Sequence, residues 1–309
     1  MDRSGLVVSF PGRTLAEEVG DLPDGVEAVL WDMTGPAPVP RIDMVVAPYM
    51  GKAASELAHL ADVEVGFVQS QSIGYDNVQG ALPPGIVFAN ASSVHETATS
   101  ELTLALVLAA QRGIPDFVRA AAEGRWAPAL HPSLADSTVL LVGYGGVGRA
   151  IEARLLPFET TVVRVASRAR TDERGVIHGI DEISDLLPDA DIVVIGVPLG
   201  DSTRGLVDDG FLSDMKDGAL LVNIARGPVV DTDALLAHTG SGRLRAALDV
   251  TDPEPLPDGH PLFALPNVLI SPHVGGATAA MMPRMARLVH AQVDRLLHGR
   301  SPLNVVLRS

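Results

Sequence analysis

Cysteine is absent from the 309-residue sequence. Its absence excludes disulfide bonds, catalytic thiolates and cysteine-ligated zinc, and it agrees with a reducing compartment. Positive charge is also scarce, because 23 basic residues stand against 38 acidic ones and the formal net charge is -15. A surface this acidic repels phosphate backbones and anionic membranes. We therefore expect no nucleic acid and no membrane among the partners of this protein.

Long apolar runs are missing as well. The longest one covers residues 102–110, about half the length of a membrane-spanning helix. The apolar run near the amino terminus is too short for a signal peptide and is more typical of a first strand. The hydrophobic fraction of 47% nevertheless suits a folded globular protein, and the length predicts two domains. We expect a soluble, cytoplasmic protein.

Short runs rich in valine, isoleucine and leucine alternate with helix-like stretches along the chain. This alternation is typical of parallel sheets whose strands are joined by crossover helices. A first series ends near residue 90, and a long apolar helix is predicted over 96–112. A helical tail over 279–298, broken early by Pro283, is predicted to fold back onto the first series. The predicted strands are 6–10, 26–31, 44–47, 63–69 and 86–88 in the first series, and 138–142, 161–166, 192–197, 219–224, 245–250 and 268–271 in the second.

A glycine-rich turn follows the first strand of the second series. Gly143, Gly145 and Gly148 have the spacing G-x-G-x-x-G, with an apolar strand directly before them and a helical segment directly after. The first glycine permits a tight turn, the second lets a pyrophosphate approach the backbone, and the third lets helix and strand pack closely. The amides of Gly146 and Val147 would then point at the phosphates from the start of the helix. The turn and the six strands together predict a doubly wound dinucleotide-binding domain.

The end of the second strand in this series indicates which dinucleotide is bound. An acidic residue about 20 positions after the turn would accept hydrogen bonds from the ribose hydroxyls of NAD. Ser167 stands at that place, and Arg168 and Arg170 follow it. A missing carboxylate and two guanidinium groups favour the 2′-phosphate of NADP, because arginine binds phosphate through two parallel hydrogen bonds. NADP is therefore the predicted cofactor; NAD is the alternative if both arginines are ordinary solvated side chains.

Three segments of the second series place chemically competent side chains just after strands. VNIARGPVVD supplies Arg226, ALDVTDPEPLP supplies Glu254 and LISPHVGGAT supplies His273. In an open α/β sheet, ligands bind outside the carboxyl ends of the strands, where all three segments are expected. Each residue also has a plainer interpretation: a surface arginine, a solvated glutamate in a proline-rich turn, and a loop histidine with a structural partner.

Together with the glycine turn and SIGYDNV in the first series, these motifs resemble those of the D-isomer-specific 2-hydroxyacid dehydrogenases, over essentially the whole chain. The Ser-Arg-x-Arg loop is most similar to that of the glyoxylate and hydroxypyruvate reductases. The resemblance implies an α/β protein with two doubly wound parallel-sheet domains. Residues 1–95 and 281–309 would form a discontinuous flavodoxin-like substrate domain, and residues 96–280 an inserted Rossmann cofactor domain.

The resemblance also implies the roles of the site residues. Arg226 would hold a 2-oxo acid through its carboxylate and carbonyl oxygen, which suits a planar, permanently charged fork. His273 would give a proton to the carbonyl oxygen while the nicotinamide delivers hydride, and Glu254 would orient the imidazole and favour its charged form. Further cofactor contacts implied by motif position are Thr99, Val197, Pro198, Ala225, Asp249 and Gly275, and the backbone of Ile73 and Gly74 would bind the substrate carboxylate.

The predicted activity is NADPH-dependent reduction of a small 2-oxo acid such as glyoxylate or hydroxypyruvate, with no metal. Two other functions stay open: a dinucleotide-responsive, corepressor-like binding protein, and a dehydrogenase of the same fold that acts on a non-carboxylate substrate such as phosphite. Glu254 stands where formate dehydrogenases carry glutamine and argues against formate. Because no domain follows residue 309, we do not expect the branch with an appended effector domain. The apolar helix over 96–112 and the segment RWAPALHPSLA predict a homodimer.

Overall fold

The computed structural model describes residues 5–50, 53–78 and 80–309. The chain divides into two compact units: unit 1 comprises Met1–His95 and Ala277–Ser309, and unit 2 comprises Glu96–Gly276. The strands are β1 (Leu6–Phe10), β2 (Val26–Leu30), β3 (Arg41–Val46), β4 (Glu64–Gln69), β5 (Val87–Ala89), β6 (Thr138–Val142), β7 (Thr161–Ala166), β8 (Arg170–Asp172), β9 (Gly175–Gly179), β10 (Ile192–Ile195), β11 (Leu220–Asn223), β12 (Arg245–Leu248), β13 (Val268–Ile270) and β14 (Val305–Arg308). The helices are α1 (Arg13–Val19), α2 (Ala53–Leu57), α3 (Glu96–Gln111), α4 (Ile114–Ala122), α5 (Gly146–Leu155), α6 (Ile183–Leu186), α7 (Asp209–Asp214), α8 (Thr232–Gly240) and α9 (Met281–Leu297).

Unit 1 is built on a sheet with the strand order β14-β5-β4-β3-β1-β2. Strands β1 to β5 pair in parallel, and β14 adds an antiparallel edge next to β5. The parallel part has the flavodoxin-like order 2-1-3-4-5. The central strand β3 is buried from Ile42 to Val46, as expected of a parallel strand covered on both faces. The carboxyl ends of β3, β4 and β5 therefore lie at one edge of the sheet.

The carboxyl-terminal tail packs into unit 1. Met285 and Val289 of α9 are fully buried in one core cluster with Phe10 of β1 and Leu15 of α1. The expected early break at Pro283 is wrong, because Pro283 lies in the first turn of α9, where the backbone N–H would have no helical partner anyway. The sequence did not indicate β14, which pairs with β5 through a register shift.

Unit 2 is built on a larger sheet with the strand order β13-β12-β11-β10-β6-β7-β9-β8. All neighbours pair in parallel except β8, which forms an antiparallel hairpin with β9. Strands β6, β7, β9, β10, β11 and β12 follow the doubly wound order 3-2-1-4-5-6, and β13 extends it. The strand order reverses between the parallel strands β6 and β10, and in such folds ligands bind in the crevice outside the carboxyl ends of the strands at this point.

The prediction of six strands for the second series is wrong in number. The third strand of the doubly wound order is β9, with the sequence GVIHG, and β8 lies in the arginine-rich segment before it. Neither strand was predicted, because a five-residue run with glycine at both ends shows no alternation of apolar and polar residues. Ile177 of β9 is buried in a hydrophobic core cluster, and this burial stabilises the strand in the folded protein.

Helix α3 covers nearly the whole predicted range of 96–112. Leu104, Leu106 and Val107 are buried, whereas Leu102 and Leu108 are only half-buried. Within the described ranges, no helix has both the length and the apolar character needed to cross a membrane.

Candidate active site

The glycine-rich turn lies between β6 and α5, at the carboxyl edge of the unit 2 sheet. Gly143 has a φ of +109°, and a Cβ at this position would lie 2.5 Å from the backbone of Gly196. A Cβ on Gly148 would lie 2.5 Å from the carbonyl oxygen of Gly143. The left-handed backbone and the two close approaches mean that the fold itself requires both glycines.

Gly145 has a different reason to lack a side chain. A Cβ there would have no atom within 4 Å, and its φ of -97° suits any residue. Helix α5 begins at Gly146, and Gly145 as N-cap supplies no side-chain acceptor to the amides of the first turn, including Val147. Open space above Gly145 and the partial positive charge of the helix start fit a dinucleotide pyrophosphate.

The loop after β7 carries the predicted 2′-phosphate site. Ser167 and Arg168 are exposed in the loop, and Arg170 is exposed at the start of β8. The Nη2 of Arg170 donates a hydrogen bond to the carbonyl oxygen of Tyr144 over 3.3 Å. Arg170 therefore contacts the glycine turn, although helix α5 and strand β7 separate the two in the sequence.

A buried ion cluster supports the glycine turn. Tyr144 donates its hydroxyl proton to the fully buried Glu152 of α5. The other donors are Arg164 Nε of β7, at 2.5 Å, and Arg174 Nη1 between β8 and β9, at 2.8 Å. Burial raises the pKa of Glu152, but the hydrogen bonds from Tyr144, Arg174 and Arg164 outweigh burial and hold that pKa below its usual value. Burial also raises the pKa of the Tyr144 hydroxyl. Sequence reasoning missed this cluster, since its members come from four separate segments.

Arg226, Glu254 and His273 follow the carboxyl ends of β11, β12 and β13, which are adjacent in the sheet. The Nδ1 of His273 lies 2.5 Å from Oε1 of Glu254. Their side chains are 28% and 38% exposed, so both contact a partner and remain accessible to a ligand. Arg226 is half-buried, and its Nη1 donates to the carbonyl oxygen of Ala225 at 2.8 Å. The structure thus joins the predicted histidine and glutamate directly and puts the arginine after the neighbouring strand.

The backbone around Arg226 is held by Asn223, a residue that sequence reasoning missed. Asn223 is 1% exposed; its Oδ1 accepts from the amide of Ala225, and its Nδ2 donates to the carbonyl oxygen of Arg226, both at 3.0 Å. A Cβ on Gly227 would lie 1.8 Å from the carbonyl oxygen of Thr251, so the turns after β11 and β12 are in close contact. The signal that could have found Asn223 is an asparagine at the end of an apolar strand, where its side chain can hydrogen-bond the backbone of the following turn.

His273 is held in an unusual backbone conformation by Asp249. Its φ is +53°, a value that residues other than glycine rarely adopt. The carboxylate of Asp249 accepts hydrogen bonds from the Ser271 hydroxyl at 2.6 Å and from the amides of Val274 and Gly275 at 2.9 Å each. The amide of His273 donates to the carbonyl oxygen of Asp249 at 2.7 Å. Strain of this kind persists where the surroundings determine it, and it is frequent at functional sites.

In unit 1, Ile73 and Gly74 lie in the loop after β4 and are half-buried. Among the described residues, neither backbone N–H has a hydrogen-bond acceptor, whereas the carbonyl oxygen of Ile73 accepts from Asn90 Nδ2 at 2.9 Å. Two unengaged neighbouring amides suit the carboxylate that the sequence predicted for this loop.

The sequence of this chain is similar to those of known proteins. The sequence pattern of the D-isomer specific 2-hydroxyacid dehydrogenase NAD binding domain matches residues 104–275. The glyoxylate reductase of Thermofilum pendens is 35% identical over 246 residues, which are 76% of this chain and 73% of that protein. The human glyoxylate reductase/hydroxypyruvate reductase is 32% identical over 291 residues, 88% of either chain. The chain belongs to the D-isomer specific 2-hydroxyacid dehydrogenase family.

A solved structure agrees with that membership. The D-isomer specific 2-hydroxyacid dehydrogenase of Xanthobacter autotrophicus Py2, in complex with NADPH and MES, superposes with a TM-score of 0.84 at 27% identity and covers 98% of each chain. This family member is therefore an oxidoreductase of α/β fold with a nicotinamide dinucleotide cofactor. The glycine turn of unit 2 fits that cofactor, as its open space at Gly145 indicates.

The remaining predicted cofactor contacts of this dehydrogenase are Val197, Thr99 and Pro198, all in unit 2. The amide of Val197 is 2.8 Å from the position of a Cβ on Gly143. The side chain of Thr99 is 3.5 Å from the position of a Cβ on Gly275. Pro198 is exposed, and its carbonyl oxygen accepts from Thr203 Oγ1 at 2.7 Å. In the part of the chain that the structure describes, no group of three histidine, aspartate or glutamate side chains could hold a metal ion.

Proposed function

We propose that this dehydrogenase reduces a small 2-oxo acid of the glyoxylate or hydroxypyruvate type to the D-2-hydroxy acid, with NADPH as the reductant. The contact between His273 and Glu254 carries the proposal, because a carboxylate-bound imidazole at a cofactor-binding sheet edge is suited to proton transfer. The names of the archaeal and human relatives support the substrate class. Bound NADPH supplies the hydride that the substrate carbonyl carbon receives.

His273 supplies the proton for the carbonyl oxygen. Glu254 occupies the Nδ1 side of the ring, so Nε2 is the nitrogen that can exchange a proton with the substrate. In reduction, the N–H bond at Nε2 breaks and an O–H bond forms on the substrate as the carbonyl carbon is reduced. Glu254 fixes the ring orientation through its contact with Nδ1. General acid catalysis of this kind contributes about 100- to 10,000-fold in rate.

Arg226 of unit 2 is assigned to the binding of the 2-oxo acid. One guanidinium N–H of Arg226 donates a hydrogen bond to the carbonyl oxygen of Ala225. This bond fixes the plane of the guanidinium group. The planar guanidinium fork suits the carboxylate and the carbonyl oxygen of a 2-oxo acid. In unit 1, the amides of Ile73 and Gly74 offer two donors to a substrate carboxylate.

The preference for NADPH rests on the loop after β7. Ser167 brings no carboxylate that would repel a phosphate, and Arg168 and Arg170 bring two guanidinium groups to the loop, of which that of Arg170 contacts the glycine turn. We expect Arg168→Ala to lower kcat/KM with NADPH by about 10-fold or more, as the loss of a charge-assisted hydrogen bond predicts, and to leave kcat/KM with NADH unchanged. Arg119→Ala, which removes an exposed arginine paired with Asp116 on α4, is the matched control. A wild type that prefers NADH, or an equal loss with both cofactors, would contradict the preference.

The activity itself is tested by following NADPH absorbance with glyoxylate, hydroxypyruvate, pyruvate and phenylpyruvate. Rapid oxidation with one of them is the expected result and would identify the substrate class. Intact NADPH binding without turnover of any 2-oxo acid would overturn the proposal and would favour a binding protein or a non-carboxylate substrate.

We also propose that the protein is a homodimer through the α3–α4 region of unit 2. Trp126 and Leu130 are 96% and 103% exposed in the segment that follows α4. A cavity of about 430 Å³ between α3 and α4 is lined by Ala105, Leu108, Ala109, Arg112, Ile114 and Phe117. Exposed apolar surface of this kind is typical of an interface. Light scattering should give twice the chain mass, and Trp126→Ser with Leu130→Ser should reduce it; a monomeric wild type would refute the dimer.

A further inference from the structure

The loop after β4 has an ordered series of hydrogen bonds on its carbonyl side. Four consecutive carbonyl oxygens, those of residues 70–73, each accept one hydrogen bond from unit 1. The donors in order are Gln69 Nε2 at 2.8 Å, His95 Nε2 at 2.6 Å, the Ala91 amide at 2.9 Å and Asn90 Nδ2 at 2.9 Å. The carbonyl side of the loop is thus fully engaged, while the amides of Ile73 and Gly74 bond to no acceptor among the described residues.

The engaged carbonyls determine where those two amides point. In a trans peptide, the C=O of one residue and the N–H of the next point in opposite directions within one plane. The Ala91 amide holds the carbonyl of Ser72, and it thereby turns the N–H of Ile73 away from Ala91. Asn90 holds the carbonyl of Ile73, and it turns the N–H of Gly74 away from Asn90 in the same manner. Because both holding groups come from adjacent residues after β5, the two amides face the same side.

Asn90 is itself fixed in one orientation. It is 5% exposed, and its Oδ1 accepts from the Ser92 amide at 3.1 Å and from the Ser92 hydroxyl at 2.9 Å. Since two donors meet Oδ1, the Nδ2 side of the carboxamide must face the carbonyl of Ile73. The carbonyl oxygen of Asn90 accepts from Gln69 Nε2 at 2.9 Å, and Oε1 of Gln69 accepts from Gln292 of α9 at 2.7 Å. This buried amide chain fixes the backbone from which the Asn90 side chain extends.

We infer that Asn90 is a positioning residue that aims the Gly74 amide, next to that of Ile73, at the carboxylate of the substrate. The inference rests on the proposed function, which assigns these amides to a 2-oxo acid. Asn90 does not contact the substrate in this role; it acts through the Ile73–Gly74 peptide. A carboxylate contact is equal in the ground state and the transition state, so its loss raises KM and spares kcat.

The test is Asn90→Asp, which keeps size and Oδ1 but puts an oxygen against the carbonyl of Ile73. Repulsion between the two acceptors should turn the Ile73–Gly74 peptide. We expect KM for glyoxylate to rise about 10- to 100-fold, as the loss of a hydrogen bond to a charged group predicts. KM for hydroxypyruvate should rise by the same factor, because the two acids share the carboxylate, and the Kd for NADPH should not change. Asn90→Ala removes the donor without repulsion and should give a smaller rise; it decides the question if Asn90→Asp does not fold.

Asn267→Asp is the matched control, because Asn267 contacts neither Asn90 nor Ser92. It also removes side-chain N–H bonds to backbone carbonyl oxygens, those from Asn267 Nδ2 to Thr239 at 2.9 Å and to Leu244 at 2.7 Å in unit 2. This variant should lower Tm and leave KM unchanged. An unchanged KM in both Asn90 variants, or an equal rise in Asn267→Asp, would overturn the inference.

Calorimetric titration with glyoxylate in the presence of NADP separates this inference from the proposed function. A wild type that binds glyoxylate without turning it over, and an Asn90→Asp variant that binds it more weakly, would refute the reductase and support the positioning role. An active wild type with unchanged KM and unchanged glyoxylate affinity in Asn90→Asp would refute the positioning role and leave the reductase in place.

Discussion

Replacing Glu152 with glutamine should destabilise unit 2 from directly beneath the glycine turn. Glu152 is 0% exposed and accepts hydrogen bonds from Tyr144, Arg164 and Arg174. Glutamine has the same size, but it removes the negative charge and puts an NH₂ group against one set of donors. The two guanidinium groups then lose their counter-charge, and at least one buried donor loses its acceptor.

The expected cost follows from the burial of the three charged groups. Removing one partner of a buried ion pair costs about 3–5 kcal/mol, because the other charge is left buried without compensation. Arg164 and Arg174 are 15% and 38% exposed, so both can recover some hydration, and we expect the lower end, about 3 kcal/mol. For a folding unit the size of Glu96–Gly276, this corresponds to a decrease in Tm of about 6–12 °C.

The difference between wild type and Glu152→Gln should depend on pH. The pKa of Glu152 lies below its usual 4.5, because its hydrogen bonds outweigh burial. A carboxyl group with a lowered pKa stabilises the folded state above the unfolded pKa, and this stabilisation is lost as the pH falls through the folded pKa. The difference in Tm should therefore be complete at pH 7 and should shrink progressively below pH 4.5.

Thermal unfolding of both proteins, followed by circular dichroism at pH 7 and at lower pH, measures this difference. The matched control is Asp116→Asn, which breaks a pair with Arg119 whose side chains are 57% and 51% exposed. An exposed pair contributes at most about 1 kcal/mol. If Glu152→Gln lowers Tm no more than Asp116→Asn does, or if the difference does not change with pH, the reasoning about the buried cluster is refuted.

Three further predictions concern the site. His273→Ala should lower kcat about 100- to 10,000-fold while the Kd for NADPH measured by fluorescence is unchanged; a kcat near that of wild type would remove His273 from the mechanism. Gly145→Ala should keep the wild-type Tm, because the new Cβ meets no atom within 4 Å, and it should weaken NADPH binding; unweakened binding would mean that the pyrophosphate does not approach this glycine. Arg226→Lys should raise KM for the 2-oxo acid, because a lysine ammonium cannot replace the planar fork; an equal KM would show that a single point charge suffices.

Local features of the site were predictable because each is encoded in a few consecutive residues. The glycine turn was found from its spacing, since a φ of +109° at Gly143 and the close approach at Gly148 admit no other residue. Arg226, Glu254 and His273 were predicted as site residues from motifs after apolar strands, and the structure brings His273 and Glu254 into contact. The alternation of strands and helices likewise predicted an α/β fold with parallel sheets.

Features that depend on distant segments were not predictable in the same way. Strand β9 has too few residues for a periodic signal, and it is stabilised by its place beside β7 in the sheet. The donors to Glu152 come from the glycine turn, β7 and the β8–β9 hairpin, so no short pattern contains them. The support of Ile73 by Asn90 likewise joins the loops after β4 and β5.

The sequence by itself determined the kind of fold, the glycine turn and the identity of the residues suited to proton transfer and carboxylate binding. Only the tertiary structure decided which of these residues meet and how each is aimed. His273 and Glu254 are brought to 2.5 Å by the turns after two paired strands, and Asp249 holds the histidine at a φ of +53°. Chemical identity is a property of single residues, whereas orientation comes from hydrogen bonds that close only when distant segments pack together.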